Sequence, residues 1–143
     1  MTLVAYRERE SMDPETGADG ILRDEWRLVP YSYELTDRLA AAFGPDWRTY
    51  KPFPECILEH RYIRRGVEEP WAPFGIYGRD VDALSDIDKG AKAVDPRLLR
   101  IQQDRERAAF TEAQDRERKA REHEQEKAEQ RERAAGQAAF VRL

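Results

Sequence analysis

The chain has 143 residues, 38% of them charged and 40% hydrophobic by a count that includes alanine. That length holds one compact domain, or a smaller one joined to an elongated element, and the composition argues against a single large core. A formal net charge of −4 gives no case for a nucleic-acid polycation, and no run approaches the roughly 18 apolar residues needed to cross a bilayer.

The apolar run at the amino terminus ends at Tyr6 and no basic segment precedes it, so a secretory signal is not expected there. Cys56 is the only cysteine. An intramolecular disulfide and a four-cysteine zinc site are therefore excluded, and synthesis in a reducing cytoplasm is expected, with later incorporation into a particle such as a virion left open. All three tryptophans, all six tyrosines and every proline but Pro96 precede residue 96. Burial of such groups drives compact folding. The expected fold class is α+β: a small aromatic- and proline-rich domain over residues 1–95, followed by one long charged helix over 96–143.

Within the domain, Leu3 to Glu8 alternates weakly and suits an edge strand, and Met12 to Gly20 reads as a turn-rich loop. Ile21 to Val29 fits a short helix or a strand. Ser32 is placed to cap a helix running to Phe43, which Gly44 and Pro45 then stop. Trp47 to Phe53 is expected to be extended. Cys56 to Arg64 reads as a half-exposed strand, with Cys56, Leu58, His60 and Tyr62 on one face, and Arg64 to Gly66 begin a turn. Glu69 to Gly78 interleaves Pro70, Trp71, Pro73, Phe74 and Tyr77 with Gly75 and Gly78. Proline fixes φ and glycine relaxes it, so an irregular loop is expected. Its rings serve either as a lid on the domain's own core or as a docking surface, since aromatic anchors are enriched at binding hot spots.

After Asp95 the composition changes. Asp95 suits an N-cap and Pro96 a first helical position, and no glycine or proline follows until Gly136. A continuous helix from 96 to 140 spans roughly 67 Å. Acid-to-base pairs four apart recur at Glu112–Arg116, Asp115–Lys119, Glu117–Arg121 and Glu129–Arg133, each adding about 0.2–0.5 kcal/mol. Between Gln102 and Arg133 the only hydrophobic residues are Ala108, Ala109, Phe110, Ala113, Ala120 and Ala128. A coiled coil needs large apolar groups at a and d of each heptad, and this seam is missing. Leu98, Leu99 and Ile101 are expected to pack the start of the helix on the domain. Phe140, Val141 and Leu143 are expected to form an apolar tip. A disordered tail is the competing reading of so polar a composition.

No catalytic constellation emerges. Cys56 and His60 on one strand face stand about 13 Å apart, too far for a nucleophile–base pair, and His123 sits between Glu122 and Glu124. Asp80, Asp82, Asp86 and Asp88, like Asp13, Glu15 and Asp19, lack the spacing of a calcium loop, so capping and solvent exposure are the expected roles. No glycine spacing of a phosphate or dinucleotide site occurs, and neither a metal nor a cofactor is expected.

The expected function is therefore non-enzymatic: a structural or connector subunit of a larger protein assembly, of the kind found in a phage or virus-like particle. Its partners are other protein subunits, with repeated copies of the chain as one arrangement. Docking would use Trp71, Phe74 and Tyr77 in the domain and Leu98, Leu99, Ile101, Phe110, Phe140, Val141 and Leu143 along the arm. The alternative is a nucleic-acid accessory protein using Arg61, Tyr62, Arg64 and Arg65, because arginine forks favour phosphate as well as carboxylate.

Overall fold

The computed structural model describes residues 2–10 and 20–141. It shows the mixed fold expected: an antiparallel six-stranded sheet in the N-terminal region, followed by one long helix. By internal contacts the chain forms two units, residues 1–102 and 103–143.

In the first unit β1 (Leu3–Glu10) and β2 (Ile21–Pro30) form an antiparallel pair. The ambiguous Ile21–Val29 segment is thus a strand. A 3₁₀ turn, Tyr33–Leu35, leads into α1 (Thr36–Phe43), and the Ser32 side chain makes no capping bond. The stop is where the sequence puts it, at Gly44 with φ +98°, a conformation costly for other residues. Trp47–Tyr50 is a short helix, α2, and not the extended segment expected. Trp47 is buried against Val29, Leu39, Ile57 and Ile76, and that burial outweighs the weak local preference.

β3 (Cys56–Arg64) pairs with β2 along its whole length. Its other edge is shared by β4 (Val67–Glu68) and β5 (Ala72–Tyr77). β3 is accordingly central, with Cys56 to Glu59 buried, whereas its mixed composition suggested a half-exposed strand. Arg65 and Gly66 make the two-residue turn into β4 with φ +54° and +70°, the positive values that such a hairpin connection requires. The expected irregular loop at Glu69–Gly78 is instead largely β5. Its proline falls beside a bulge, where Leu58 opposes Gly75 but Glu59 opposes Pro73, on a strand that pairs with β3 along one edge, a position where proline is tolerated. α3 (Asp80–Ser85) and the short β6 (Lys92–Ala93), which pairs with β1, complete the unit.

Helices cover part of each sheet face. On one face Ala5, Trp26, Cys56 and Leu58 pack with Ala83 and Leu84 of α3, Ile87, Ala91 and Leu98. On the other, Val29, Ile57 and Ile76 pack with Leu39 of α1 and Trp47 of α2. α4 runs from Pro96 to Val141. Asp95 caps it as the sequence indicates, its carboxylate accepting the Arg97 N–H at 2.8 Å.

Leu98 is 1% exposed and Ile101 packs beside it, but Leu99 is half exposed and does not join the core. The i,i+4 charge pairs expected along the helix do not form. Asp104–Arg107 and Asp115–Arg118 pair at i,i+3, and Arg116 reaches the Glu112 backbone carbonyl rather than its carboxylate. In the second unit every residue from 106 to 138 is exposed, Phe110 among them. The apolar tip expected at Phe140, Val141 and Leu143 falls outside the described residues and side chains, as do Asp13, Glu15 and Asp19.

Candidate protein-docking surface

Both sheet faces continue beyond the apolar patches as charge. The strand registers align Glu25 with Arg61 and Arg27 with Glu59 across β2 and β3. Glu25 and Glu59 are buried carboxylates. Glu25 takes Arg61 at 2.7 Å and Arg23 at 3.0 Å, and Arg23 also reaches Glu8 of β1. Glu59 takes Arg27 at 2.8 Å and Arg38 of α1 at 2.7 Å. A buried carboxylate is tolerated only when its oxygens are satisfied in this manner. Trp71 closes the lattice. The guanidinium carbons of Arg27 and Arg61 each lie 4.4 Å from its ring centroid, and Arg38 donates to its backbone carbonyl.

The opposite face has one carboxylate at its centre. Asp24, 2% exposed, accepts from His60 at 2.9 Å and from Arg9 at 3.1 Å, with Arg7 at 3.6 Å. Arg7 also pairs with Asp88 at 2.8 Å. The His60 ring stacks edge-on to Tyr62 and lies 5.1 Å from Trp26 and 6.5 Å from Phe74, so aromatic rings surround it. The His60–Asp24 hydrogen bond and the two arginines satisfy this buried carboxylate.

Concavities of two sizes in the first unit have well-defined linings. The larger, about 670 Å³, is lined by Leu3, Leu28, Pro30, Cys56 and Pro96, with Arg97 and Asp80 at its polar side. Arg97 bridges Asp95 and Asp80, and the pairing holds the Asp95 carboxyl below its usual range. Burial pushes the Cys56 thiol up to about 11, so it stays a neutral, poor nucleophile. The smaller concavity, about 300 Å³, lies among Phe43, Trp47, Tyr50, Ile76 and Tyr77. Burial and then the hydrogen bond to Asp86 at 2.7 Å keep the Tyr77 phenol protonated far above its usual range. Phe43, 39% exposed, and Tyr50, 76% exposed, line this second hollow; Phe74, 51% exposed, lies in β5 with its ring 6.5 Å from that of His60, and Phe53, 85% exposed, has its carbonyl beside Gly78, just after β5.

The three aromatics expected to dock therefore separate. Trp71 is a lid on arginines, Tyr77 packs on the core, and Phe74 alone presents its ring to solvent. Phe43, Tyr50 and Phe53 were not expected. The signal available was their spacing around Gly44, Pro45, Pro52 and Pro54, which keeps large rings on short connections with little core behind them. Of the basic patch, Arg61 is held by Glu25 and Glu68, and Arg64 pairs with Glu69 at 2.8 Å and stacks on Tyr62. These cations are neutralised within the domain, which leaves little field for a phosphate backbone. The acids after β5 are committed as well: Asp80 to the Val81 N–H, Asp82 to Arg79, Asp86 to Tyr77, and Asp88 to the Gly90 N–H. Among the described residues no three ligating side chains converge on one point, and no helix is long and apolar enough to cross a membrane.

Comparison with known proteins gives no matching family model, no matching curated protein and no matching solved structure.

Proposed function

We propose that the protein is a non-enzymatic connector subunit of a larger protein assembly, engaging one neighbour through the sheet domain and another along α4. The observation that carries this reading is the exposure of every residue from 106 to 138 in a continuous helix. An isolated helix gains little from propensity and ion pairs, because most helical stability in proteins comes from packing an apolar face. α4 has no such face in that stretch, so its binding must rest on charge and on the aliphatic stems of its long side chains. The alternating signs suit a protein surface of mixed charge better than a uniform polyanion. A phage or virus-like particle is an assembly of the kind such a small, disulfide-free connector serves.

Chemical crosslinking of the native assembly with an amine-reactive reagent tests this. Lys119 and Lys127 are the only lysines of the helix. They are expected to crosslink to other polypeptides. Crosslinks confined to the chain's own lysines would remove the connector reading. The nucleic-acid alternative predicts binding to DNA or RNA that weakens steeply with salt.

A further inference from the structure

Among the described residues two strand edges of the sheet domain lack a full partner strand, and they are built differently. β6 covers β1 only at Ala5 and Tyr6, so the outer half of β1 offers the edge Arg7, Glu8, Arg9 and Glu10. A charged edge is a common means of preventing pairing with another chain. Among the described residues β5 pairs with β3 alone, and Ala72–Tyr77 contains no charge. Pro73 and the bulge guard its beginning, but nothing of that kind guards the stretch from Phe74 to Tyr77. The 300 Å³ hollow brings together Phe43, Trp47 and Tyr50 from one side of the sheet and Asp86 from the other, so it opens at this edge.

We propose that this edge and its aromatic rim form an isologous interface for a second copy of the chain. A Phe or Tyr side chain presents about 150–250 Å². At the exposures of Phe43, Tyr50, Phe53 and Phe74, about 500 Å² of ring surface per copy stays in water. A two-fold contact uses the same patch twice. The rings alone thus supply about 1,000 Å², the lower bound for a specific interface, before any neighbouring backbone is counted. A patch that faces itself must also tolerate its own charges. The hollow carries one of each sign, Lys51 and Asp86, so two copies meet without net repulsion. The interface belongs to the sheet domain and needs nothing from α4.

Sedimentation equilibrium of the full chain, from low to high micromolar concentration, tests this. The expected result is an approach to twice the 16.7 kDa chain mass at the upper end. Phe53→Asp combined with Tyr50→Asp, and separately Phe74→Lys, change mainly solvent-facing rings and should keep the native circular dichroism. Each should loosen the dimer at least about tenfold. Phe110→Asp, in α4, should leave it unchanged. A monomer at every concentration overturns the proposal. So does a dimer that ignores the rim substitutions, or one that Phe110→Asp dissolves.

Discussion

Replacing Leu98 by alanine tests where the cooperative domain ends. Leu98 belongs to α4 by backbone but is 1% exposed, packed with Ala83, Leu84, Ile87 and Ala91. Removing its isobutyl group from so closed a site leaves a cavity that the short α3 and the sheet cannot both collapse into. Leucine-to-alanine changes of this kind cost about 2–5 kcal/mol, and about 3 kcal/mol is expected here. In a domain of this size that lowers Tm by roughly 12–24 °C. Phe110→Ala is the matched control: the ring is 64% exposed, so its loss should cost less than about 0.5 kcal/mol. Thermal unfolding followed by tryptophan fluorescence reads the first unit, since all three tryptophans lie within it. A Tm fall of less than about 4 °C for Leu98→Ala, or an equal fall for Phe110→Ala, would refute a boundary between these two residues.

Trp71→Ala should cost about 2 kcal/mol in urea unfolding, because it removes two cation–π contacts and uncovers the arginines of the lattice. A negligible loss would return Trp71 to the role of a free anchor. Cys56 should react with iodoacetamide about 100-fold more slowly than an ordinary thiol near pH 8, because its pKa rises from 9.0 to about 11. The folded state holds that proton more tightly than the unfolded chain. Its contribution is therefore complete below pH 9 and is lost as pH rises towards 11, with Tyr77 acting in the same direction. A urea midpoint flat across that window would contradict this. Finally, ellipticity at 222 nm should show a broad, salt-sensitive loss from α4 beside the sharp transition of the sheet domain. A single sharp transition shared with tryptophan fluorescence would mean that α4 is packed in the isolated chain.

The long helix and its start were legible because capping and composition are local: Asp95, Pro96 and an unbroken run of helix formers specify them without reference to anything distant. Gly44 and the Arg65–Gly66 turn were legible for the same reason. β5 was not, because Pro70, Pro73, Gly75 and Gly78 are local signals against a strand, and a bulge and one open edge accommodate them only in the assembled sheet. The surroundings of Trp71 were not legible on similar grounds. Trp71 is the largest ring of its segment, but its fate depends on Arg27 and Arg61, which lie on two other strands. Leu99 illustrates the limit of composition in a helix: its neighbour Leu98 faces the core and a rotation of one residue carries Leu99 away from it.

The same residue types meet opposite fates in the two units, and the difference is geometric. In the sheet, a charge is flanked by residues on adjacent strands about 4.8 Å away, and with partners from its own strand or from α1 as well, Glu25, Glu59 and Asp24 each gather two arginines and can be buried. That density of pairing allows a chain with 38% charged residues to close a core at all. A lone helix offers each side chain only its own i±3 and i±4 neighbours, and the pairs it makes, Asp104–Arg107 and Asp115–Arg118, remain in water where they are worth little. To reach the pairing that the sheet domain achieves internally, the arginines and glutamates of α4 require a second surface beside them. Under the proposed connector role, a neighbouring protein would supply the adjacent row of charges that a single helix cannot.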